Sequence, residues 1–299
     1  ISVESKNKPL NGSGIGFVKS KTNSLPSPVF LFLMKCSPLV LLLSIGIFLT
    51  HSGKLQAQNI KEEKMKIEVW SDVVCPFCYI GKTHFDEALA QFADKENIEF
   101  VWKSFQLNPN LKTTLDQNLY EHLSESKGIS VEQAKGMGSH AAQMGAQSGL
   151  ELNFDKSVVA NSFNAHRLIH FAKSKRLQQE MKSRLFKAYF TEGKNIDDLE
   201  TLIALATEIG LDGKDAKAVL ESDQYAAAVN ADIQESRQLG VSGVPFFVFD
   251  RKYAVSGAQP ADSFLQNLEK SFAEWRKENP TVQLQVSEGP SCEPNKACD

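Results

Sequence analysis

The sequence predicts an α/β protein whose small sheet is divided along the chain by a long helical segment. Alternation of apolar and polar residues, which is typical of strands, occurs at 66–71 and 98–107 and returns at 245–250 and 252–255. From residue 115 to about residue 240, apolar residues instead recur at helical spacing, and no alternating strand is apparent. These observations give the order strand, helix, strand, helical insertion, two strands and helix.

The first part of this pattern reads as strand, helix, strand. Ile67 and Val69 share one face of the first predicted strand. Pro76 suits the first position of a helix, because its missing N–H would be unpaired there in any case. Apolar residues at helical spacing then predict a helix that ends near Ala93, before the second strand.

The helical segment carries start and stop signals. Ser130 with Gln133 matches a capping box, and Asp197 with Glu200 resembles one in which Asp is the cap. Asn161 is placed to cap a further helix. Breaks between helices are expected at four glycines, namely Gly128, Gly149, Gly193 and Gly210.

Composition and charge exclude several classes of protein. The chain has 299 residues, of which 42% are hydrophobic and 23% charged, as in an ordinary globular protein. Its 33 basic and 36 acidic side chains give a net charge of −3, whereas a nucleic-acid-binding domain is usually basic. We therefore expect no nucleic-acid partner. Five cysteines are too few for a disulfide scaffold of this length.

The first sixty residues do not have the pattern of a folded domain. Residues 1–33 are rich in polar residues, and we expect them to be disordered or absent from the native product. From Met34, a lysine, an apolar run over 38–49 and a small residue at Ala57 match a secretory signal peptide. We therefore predict a signal peptide over 34–57 and a protein that is periplasmic or otherwise exported.

Two observations leave the start of the protein open. The residue three positions before the end of the expected signal peptide is Leu55, where a small residue is usual. Translation from Met65 would remove this segment altogether and give a cytoplasmic protein. Where the segment is present, we expect contact with a membrane only through it.

The most specific motif is Cys75-Pro76-Phe77-Cys78. Two cysteines separated by two residues at a strand-to-helix junction are a redox signature. The N-terminus of the helix favours the thiolate of the first cysteine, and a thiolate is the species that attacks disulfides. One turn later, Cys78 can close a small disulfide ring with Cys75 and thereby release a mixed disulfide.

A second cysteine pair, Cys292 and Cys298, lies in the polar tail over 279–299. In an oxidising compartment the two would close a short local loop, or act as a second redox pair that exchanges with the first. Together the two pairs could instead bind zinc, but five intervening residues are a loose spacing for zinc ligands. We expect no metal and no organic cofactor.

The segment Gly243-Val244-Pro245 leads directly into a predicted strand. A cis bond before Pro245 would present the backbone of Val244 outward, where an extended substrate could pair with it by strand addition. The alternative is an ordinary trans proline at the first residue of a strand.

Three further residues are candidates for the site. Asp72 precedes the motif and reads as a turn residue or a helix cap, with influence on proton transfer near the sulfurs as the alternative. His166 and His170 are four residues apart and could bind a metal, but we expect surface or core packing, since no metalloprotease pattern accompanies them.

Taken together, these motifs resemble the thioredoxin superfamily and, more narrowly, the DsbA family with its helical insertion. Three stretches resemble the FrnE-like subgroup, which is kin to kappa-class glutathione transferases and 2-hydroxychromene-2-carboxylate isomerases: SDVVCPFCYIGK, NSFNAHRL and GVSGVPFFVF. The resemblance covers residues 66–278. It implies a thioredoxin-like fold with a large inserted all-helical domain, in which 66–110 and 241–278 form the thioredoxin-like domain and 111–240 the insertion.

The resemblance also implies roles for single residues. Cys75 resembles the attacking cysteine of the family, Cys78 the resolving cysteine, and Pro245 the cis-proline that faces them. In the transferase and isomerase relatives a serine usually stands at the position of Cys75, so two cysteines favour dithiol chemistry. The best-known periplasmic members carry a histidine between the cysteines. Because Phe77 cannot stabilise a thiolate in that way, we expect a less depressed pKa for Cys75 and a less oxidising couple.

The sequence therefore predicts a protein disulfide oxidoreductase that acts on protein or peptide thiols, with glutathione as a candidate partner. Substrate contacts are expected from Val244, Pro245, Pro76 and Phe77. One alternative is a glutathione-dependent isomerase or transferase. The other is a peptide-binding or zinc-stabilised module without enzymatic activity.

Overall fold

The computed structural model describes residues 63–280. The strands are β1 (Met65–Ser71), β2 (Ile98–Ser104), β3 (Thr114–Asn118), β4 (Val158–Val159), β5 (Phe246–Phe249) and β6 (Tyr253–Ser256). The helices are α1 (Pro76–Gln91), α2 (Leu119–Lys127), α3 (Val131–Gln147), α4 (Phe163–Ser174), α5 (Gln178–Phe186), α6 (Leu199–Glu208), α7 (Gly213–Leu220), α8 (Ala226–Gln238) and α9 (Ala261–Glu278).

Four of the strands form one sheet in the order β2-β1-β5-β6. The pair β1 and β2 is parallel and is connected through α1, whereas β5 pairs antiparallel with both β1 and β6. Between β2 and β5 the chain inserts the helices α2 to α8. This arrangement confirms the predicted fold class, a thioredoxin-like α/β fold with a helical insertion.

Aromatic side chains hold α1 and α9 against one face of the sheet. The ring of Phe85 on α1 lies 5.6 Å from that of Phe247 on β5 and 5.7 Å from that of Phe264 on α9. All three side chains are fully buried. Burial of large aromatic side chains is the main favourable term in such a core, and it fixes the position of α1 and hence of its N-terminus.

Helices of the insertion contact β1 and β2. The indole N–H of Trp70 donates to the backbone carbonyl of Asp232 on α8 at 2.9 Å. The side chain of Gln178, on α5, accepts from the backbone N–H of Trp102 and donates to its carbonyl, at 3.2 and 3.1 Å. Hydrogen bonds as well as apolar packing thus hold the insertion against β1 and β2.

The prediction that no strand lies between residues 115 and 240 was wrong. Here β3 pairs antiparallel with β4 in a separate two-stranded sheet. The five residues of β3 are all at least partly exposed, and β4 has only two residues, so neither segment carries an alternating pattern that could be recognised. The insertion is therefore mostly, but not wholly, helical.

The capping predictions had mixed outcomes. The capping box of Ser130 and Gln133 is present with both of its hydrogen bonds, at 3.1 and 2.9 Å. The predicted cap Asn161 was wrong by one residue, because Ser162 precedes the first residue of α4. The side chain of Asn161 nevertheless accepts from the N–H of Phe163 at 2.8 Å.

The second acidic cap was also misplaced by one residue. Asp198, not Asp197, is the cap of α6 and accepts from the backbone N–H of Thr201 at 2.8 Å. Asp197 instead accepts hydrogen bonds from Thr113 and Asn164, which hold the insertion together. Two adjacent aspartates cannot be told apart by a local pattern when one of them is used in a tertiary contact.

The four expected helix breaks are confirmed. Each of the glycines at 128, 149, 193 and 210 has a positive φ, between 65° and 89°, a region that residues with a Cβ rarely adopt. No helix within residues 63–280 is both long and apolar enough to cross a membrane. Three predicted segments lie outside the described residues, namely 1–33, the signal peptide over 34–57 and most of the tail with Cys292 and Cys298.

Candidate active site

The two cysteines of the motif lie at the N-terminus of α1, directly after β1. Cys75 is the cap residue with extended backbone, and Pro76 is the first residue of the helix, as predicted. The N–H of Cys75 donates to the carbonyl of Asp72 at 3.3 Å, and the N–H of Cys78 donates to the carbonyl of Cys75 at 3.1 Å. These backbone hydrogen bonds turn the chain from the strand into the helix. Both thiols are free.

The two sulfurs differ in their access to solvent. Cys75 retains 4% of its accessible surface, whereas Cys78 retains none. An incoming sulfur atom can therefore reach only Cys75. Phe77 is 36% exposed at the same end of the helix and offers an apolar surface beside it.

The peptide bond between Val244 and Pro245 is cis. The thiol of Cys75 lies 3.5 Å from the carbonyl oxygen of Val244 and donates to it. The structure thus brings together two motifs that are distant in the sequence, since the two residues in contact are 169 positions apart. The backbone of Val244 is next to the sulfur that a substrate would reach.

Gly81 permits this close approach and was missed by sequence reasoning. A Cβ at this position of α1 would lie 3.0 Å from Cγ of Pro245 and 3.3 Å from Cα of Ala258. Both distances are shorter than ordinary van der Waals contact, and the second is to backbone. The glycine allows the helix to pack directly on the segment that contains the cis-proline.

The dithiol is asymmetric in charge. The neighbouring sulfur of Cys78 and burial raise the pKa of Cys75 well above its usual value. Burial also opposes a thiolate at Cys78, but the neighbouring thiol of Cys75, the nearby ammonium of Lys182 and the Ser71 hydroxyl outweigh it and lower the pKa of Cys78. The surroundings of the pair therefore oppose a thiolate at Cys75 more strongly than at Cys78. The sequence predicted that the helix N-terminus favours a thiolate at Cys75, with a pKa less depressed than in the periplasmic members. The raised pKa differs from that expectation, because the sulfur of Cys78 and burial oppose the charge.

Asp72 and His166 form a buried pair beside the motif. The side chains of both are 1% exposed, and Nε2 of His166 lies 3.3 Å from Oδ1 of Asp72. The other carboxylate oxygen of Asp72 accepts from the backbone N–H of Leu107 at 2.8 Å. Burial alone would raise the pKa of Asp72, but these hydrogen bonds lower it. Burial lowers the pKa of His166, so the pair is a neutral imidazole that donates to a carboxylate.

This geometry corrects part of the interpretation of Asp72. Its carbonyl makes the predicted turn, but its side chain caps no helix, because α1 has no side-chain cap. The same contact explains why β2 ends at Ser104 and not at the predicted Leu107. The N–H of Leu107 points to the carboxylate of Asp72 instead of continuing a strand.

His170 has partners of its own. Its Nε2 lies 3.1 Å from the hydroxyl of Ser104 and 3.1 Å from a carboxylate oxygen of Asp232. The two histidines therefore contact different buried groups, which is the geometry of core packing. Among residues 63–280, no group of three or more His, Cys, Asp or Glu side chains could hold a metal ion.

Lys182 is the second residue that sequence reasoning missed. It lies on α5, is 1% exposed, and its ammonium donates to the carbonyl of Ser71 at 3.4 Å. The only local signal is its spacing, since Lys182 shares a helix face with the buried residues Leu185 and Phe186. A lysine among apolar residues of an amphipathic helix is unusual and can be recognised.

A cavity of about 350 Å³ opens beside the motif. It is bounded by the loop after β2, by α2 and by β4, and it reaches Asp72 and Val74. Its lining is apolar with two basic groups near α2: Leu107, Leu119, Leu123, Val159, His122 and Lys127. A larger surface cavity of about 880 Å³ lies around Lys66 and Asp250, at the other end of β1, and neither cysteine lines it.

Comparison with known proteins places this geometry in a family. Residues 66–269 match the DSBA-like thioredoxin domain. The chain belongs to this family. The match covers both the sheet and the helical insertion, so the predicted relation to DsbA proteins is confirmed; membership of the FrnE-like subgroup stays a prediction.

Individual relatives agree with this assignment. The uncharacterized protein YwbO of Bacillus subtilis (strain 168) is 30% identical over 215 residues, which are 71% of this chain and 97% of that protein. The crystal structure of the probable DsbA oxidoreductase SCO1869 from Streptomyces coelicolor is 34% identical, with a TM-score of 0.66, and covers 79% of this chain and 98% of its own.

A more distant neighbour shares the fold. The cytosolic disulfide reductase DsbM from Pseudomonas aeruginosa is 16% identical, has a TM-score of 0.52, and covers 70% of this chain and 99% of its own. DsbM has also been solved with GSH. DsbA-like proteins are generally oxidoreductases or isomerases. In this chain the thiols of Cys75 and Cys78 are free at the N-terminus of α1.

Proposed function

We propose that this protein is a thiol–disulfide oxidoreductase that acts on protein or peptide thiols through the couple of Cys75 and Cys78. One observation carries the proposal. A dithiol at a helix N-terminus has one sulfur accessible and held against the carbonyl of Val244, and the other sulfur fully buried behind it. The accessible sulfur suits attack, and the buried one suits intramolecular resolution.

The reaction follows from this arrangement. In the oxidised protein, a substrate thiolate attacks Cys75, a substrate–Cys75 disulfide forms, and Cys78 leaves as a thiolate. A second substrate thiolate then displaces Cys75, so that the substrate gains a disulfide and both cysteines are reduced by two electrons in total. The same steps in reverse describe a reductase.

Substrate binding is proposed at the surface around Cys75. The backbone of Val244, before the cis Pro245, can pair with an extended peptide, as in other cases of strand addition. Pro76 and Phe77 lie at the same helix end, and the exposed Phe77 offers an apolar contact to the peptide.

A glutathione-dependent isomerase or transferase is the second candidate. The cavity of about 350 Å³ beside Asp72 and Val74 favours it, because this space suits a small molecule rather than a protein chain. The structure of DsbM with GSH is consistent with glutathione as a ligand of the fold. Glutathione could also act as a partner of the dithiol reaction itself.

Two cysteine variants separate the candidates. We expect Cys75→Ser to abolish oxidation of a dithiol peptide in a glutathione redox buffer. We expect Cys78→Ser to abolish net turnover but to accumulate a mixed disulfide on Cys75. Both variants also carry Cys292→Ser and Cys298→Ser, and the protein with only these two changes is the reference, so that the comparison concerns the first pair alone. Full activity of Cys78→Ser would contradict the dithiol mechanism and favour the glutathione-dependent one.

Two further parts of the proposal concern segments outside the described residues. We propose export through residues 34–57, which a reporter fused after residue 57 would test by its compartment. We also propose that Cys292 and Cys298 exchange electrons with the first pair. An unchanged turnover and redox potential in the double serine variant would limit them to a structural role.

A further inference from the structure

Lys182 is buried without a carboxylate partner. Its side chain is 1% exposed, and in the part of the chain that the structure describes it forms no salt bridge. Its ammonium has one long hydrogen bond, of 3.4 Å, to the carbonyl of Ser71, and it lies over the rings of Trp102 and Phe186 at 5.1 and 4.8 Å. An unpaired buried charge is costly, so a counter-charge is expected close by.

The charged and titratable groups that face Lys182 belong to three elements. Cys75 and Cys78 lie at the start of α1, Asp72 lies just before it, and His166 lies on α4. The carboxylate of Asp72 is already bonded to His166 and to the N–H of Leu107. The thiolate of the cysteine pair is therefore the anion available to Lys182.

Ser71 connects Lys182 with Cys78. Its carbonyl accepts from the ammonium, and its hydroxyl is buried with no hydrogen-bond partner among the described residues. This hydroxyl is free to donate to a sulfur anion at Cys78, and together with Lys182 it lowers the pKa of that thiol. Burial lowers the pKa of Lys182 itself to about 8, although the nearby sulfurs of Cys78 and Cys75 and the carboxylate of Asp72 favour its charged form.

We propose that Lys182 is a positioning residue that acts through Cys78 and holds it as the thiolate for the resolving step. This inference rests on the proposed dithiol function. The proton of Cys78 is released to water, and the thiolate that remains pairs with the ammonium of Lys182. The ion pair is neutral overall, which makes burial of both groups less costly than burial of either charge alone.

The resolving step exchanges the mixed disulfide for the disulfide between Cys75 and Cys78. The thiolate of Cys78 attacks the sulfur of Cys75 in the mixed disulfide, and a Cys75–Cys78 bond forms. The bond between Cys75 and the substrate sulfur breaks, and the substrate leaves with the electron pair as a thiolate, which takes a proton from water. The two cysteines lose two electrons in total, and the substrate disulfide gains them.

The test uses the full chain in which the three cysteines outside the motif are replaced: Cys36→Ser, Cys292→Ser and Cys298→Ser. This protein is reduced and then mixed with glutathione disulfide. Acid quenching and mass spectrometry follow the glutathionylated Cys75 and its conversion to the Cys75–Cys78 disulfide. In Lys182→Met we expect the mixed disulfide to accumulate, with resolution slower by about tenfold or more, while its formation is unchanged. The difference in resolution rate between Lys182→Met and the parent should shrink at a pH above about 8.5, the usual pKa of a thiol, because Cys78 then ionises without the lysine.

Two variants provide controls. Lys182→Arg keeps the positive charge and should restore resolution to within about threefold of the parent. Lys175→Met removes a lysine that is 49% exposed and pairs with Asp215, and it should have no effect. Resolution at the parent rate in Lys182→Met would overturn the inference. Absence of the Cys75–Cys78 disulfide in the parent protein would instead overturn the proposed function.

A measurement on the native lysine keeps the inference testable if these variants do not fold. In Cys75→Ser, the ultraviolet absorbance of the thiolate reports the pKa of Cys78 directly. We expect a value below the usual thiol pKa of about 8.5. A value at or above it would overturn the proposed role of Lys182.

Discussion

Two groups of charges lie against the same sheet, each around a buried ionisable side chain, and they are satisfied in different ways. In the first, which we call the Asp232 network, each charge has a fixed partner of opposite sign. Asp232 pairs with Lys103 and accepts from the N–H of Ser104 at 2.9 Å, while Glu235 pairs with Lys103 at 2.9 Å and Arg251 at 2.6 Å. In the second group Lys182 has no carboxylate, and the anion that faces it is a sulfur.

The difference indicates what each group does. The partners in the Asp232 network do not depend on redox state, so the network holds α8 and β2 together permanently. The partner of Lys182 is lost whenever Cys78 is oxidised, because a disulfide sulfur carries no charge. A buried cation that loses its counter-charge on oxidation lowers the stability of the protein. The same cation stabilises the thiolate that the reaction needs.

The largest effect expected from a single substitution is on turnover. Cys75→Ser removes the accessible sulfur, and we expect the rate to fall by about 10³-fold or more, as for other nucleophiles. Its effect on the free energy of unfolding should stay within about 1 kcal/mol, since the replacement is close in size. Turnover with a dithiol peptide and urea unfolding measure the two quantities, with Cys36→Ser, which changes a cysteine outside both pairs, as the matched control.

The Asp232 network should respond in the opposite way. Asp232→Ala leaves Lys103 and the N–H of Ser104 without their partner, and we expect a loss of about 3–5 kcal/mol in the free energy of unfolding. Activity per folded molecule should be retained. Asp215→Ala removes the exposed partner of Lys175 and should cost less than about 1 kcal/mol. Equal losses in the two variants would show that the network is not structural.

The same substitution at the partly buried Lys103 and the buried Lys182 sharpens the comparison. We expect Lys103→Met to destabilise the protein, because it leaves the carboxylate of Asp232 without its ammonium partner. We expect Lys182→Met to stabilise it by roughly 1–3 kcal/mol, because burial lowers the pKa of Lys182 to about 8 and a methionine carries no such penalty. Urea unfolding of the oxidised proteins measures both. Destabilisation by both substitutions would contradict the assignment of Lys182 to function.

The smallest expected effect is on the pH dependence of stability. The pKa of Lys182 is about 8 in the folded protein and has its usual value of 10.5 when unfolded, so the unfolded chain binds more protons between these limits. Stability should therefore rise with pH from about 8 to 10.5 relative to Lys182→Met. Thermal unfolding of both proteins across this range would reveal the trend, and parallel curves would contradict it.

Local signals in the sequence predicted much of the site. The pair Cys75 and Cys78, Pro76 at the first helical position and the capping box at Ser130 all depend on residues a few positions apart, where steric and hydrogen-bonding rules are strong. The resemblance to the DsbA family supplied the relation between Cys75 and Pro245, which spacing alone could not give.

The remaining parts of the site depend on contacts across the fold. Lys182 meets Ser71 across a sequence separation of 111 residues, and His166 meets Asp72 across 94. Gly81 is required only because the cis-proline segment packs on it. The sequence around these residues does not indicate a distant partner. Lys182 is the exception, because a lysine on the buried face of an amphipathic helix is unusual and can be recognised.

The central claim is that Cys75 and Cys78 form a reversible two-electron couple. The most direct test is to equilibrate the full chain carrying Cys36→Ser, Cys292→Ser and Cys298→Ser with glutathione buffers of known ratio and to measure the species present by mass spectrometry. We predict a single transition between the dithiol and the Cys75–Cys78 disulfide, at a potential more negative than the strong-oxidant value of about −120 mV. A protein that remains reduced, or that stops at a mixed disulfide on Cys75, would contradict the claim.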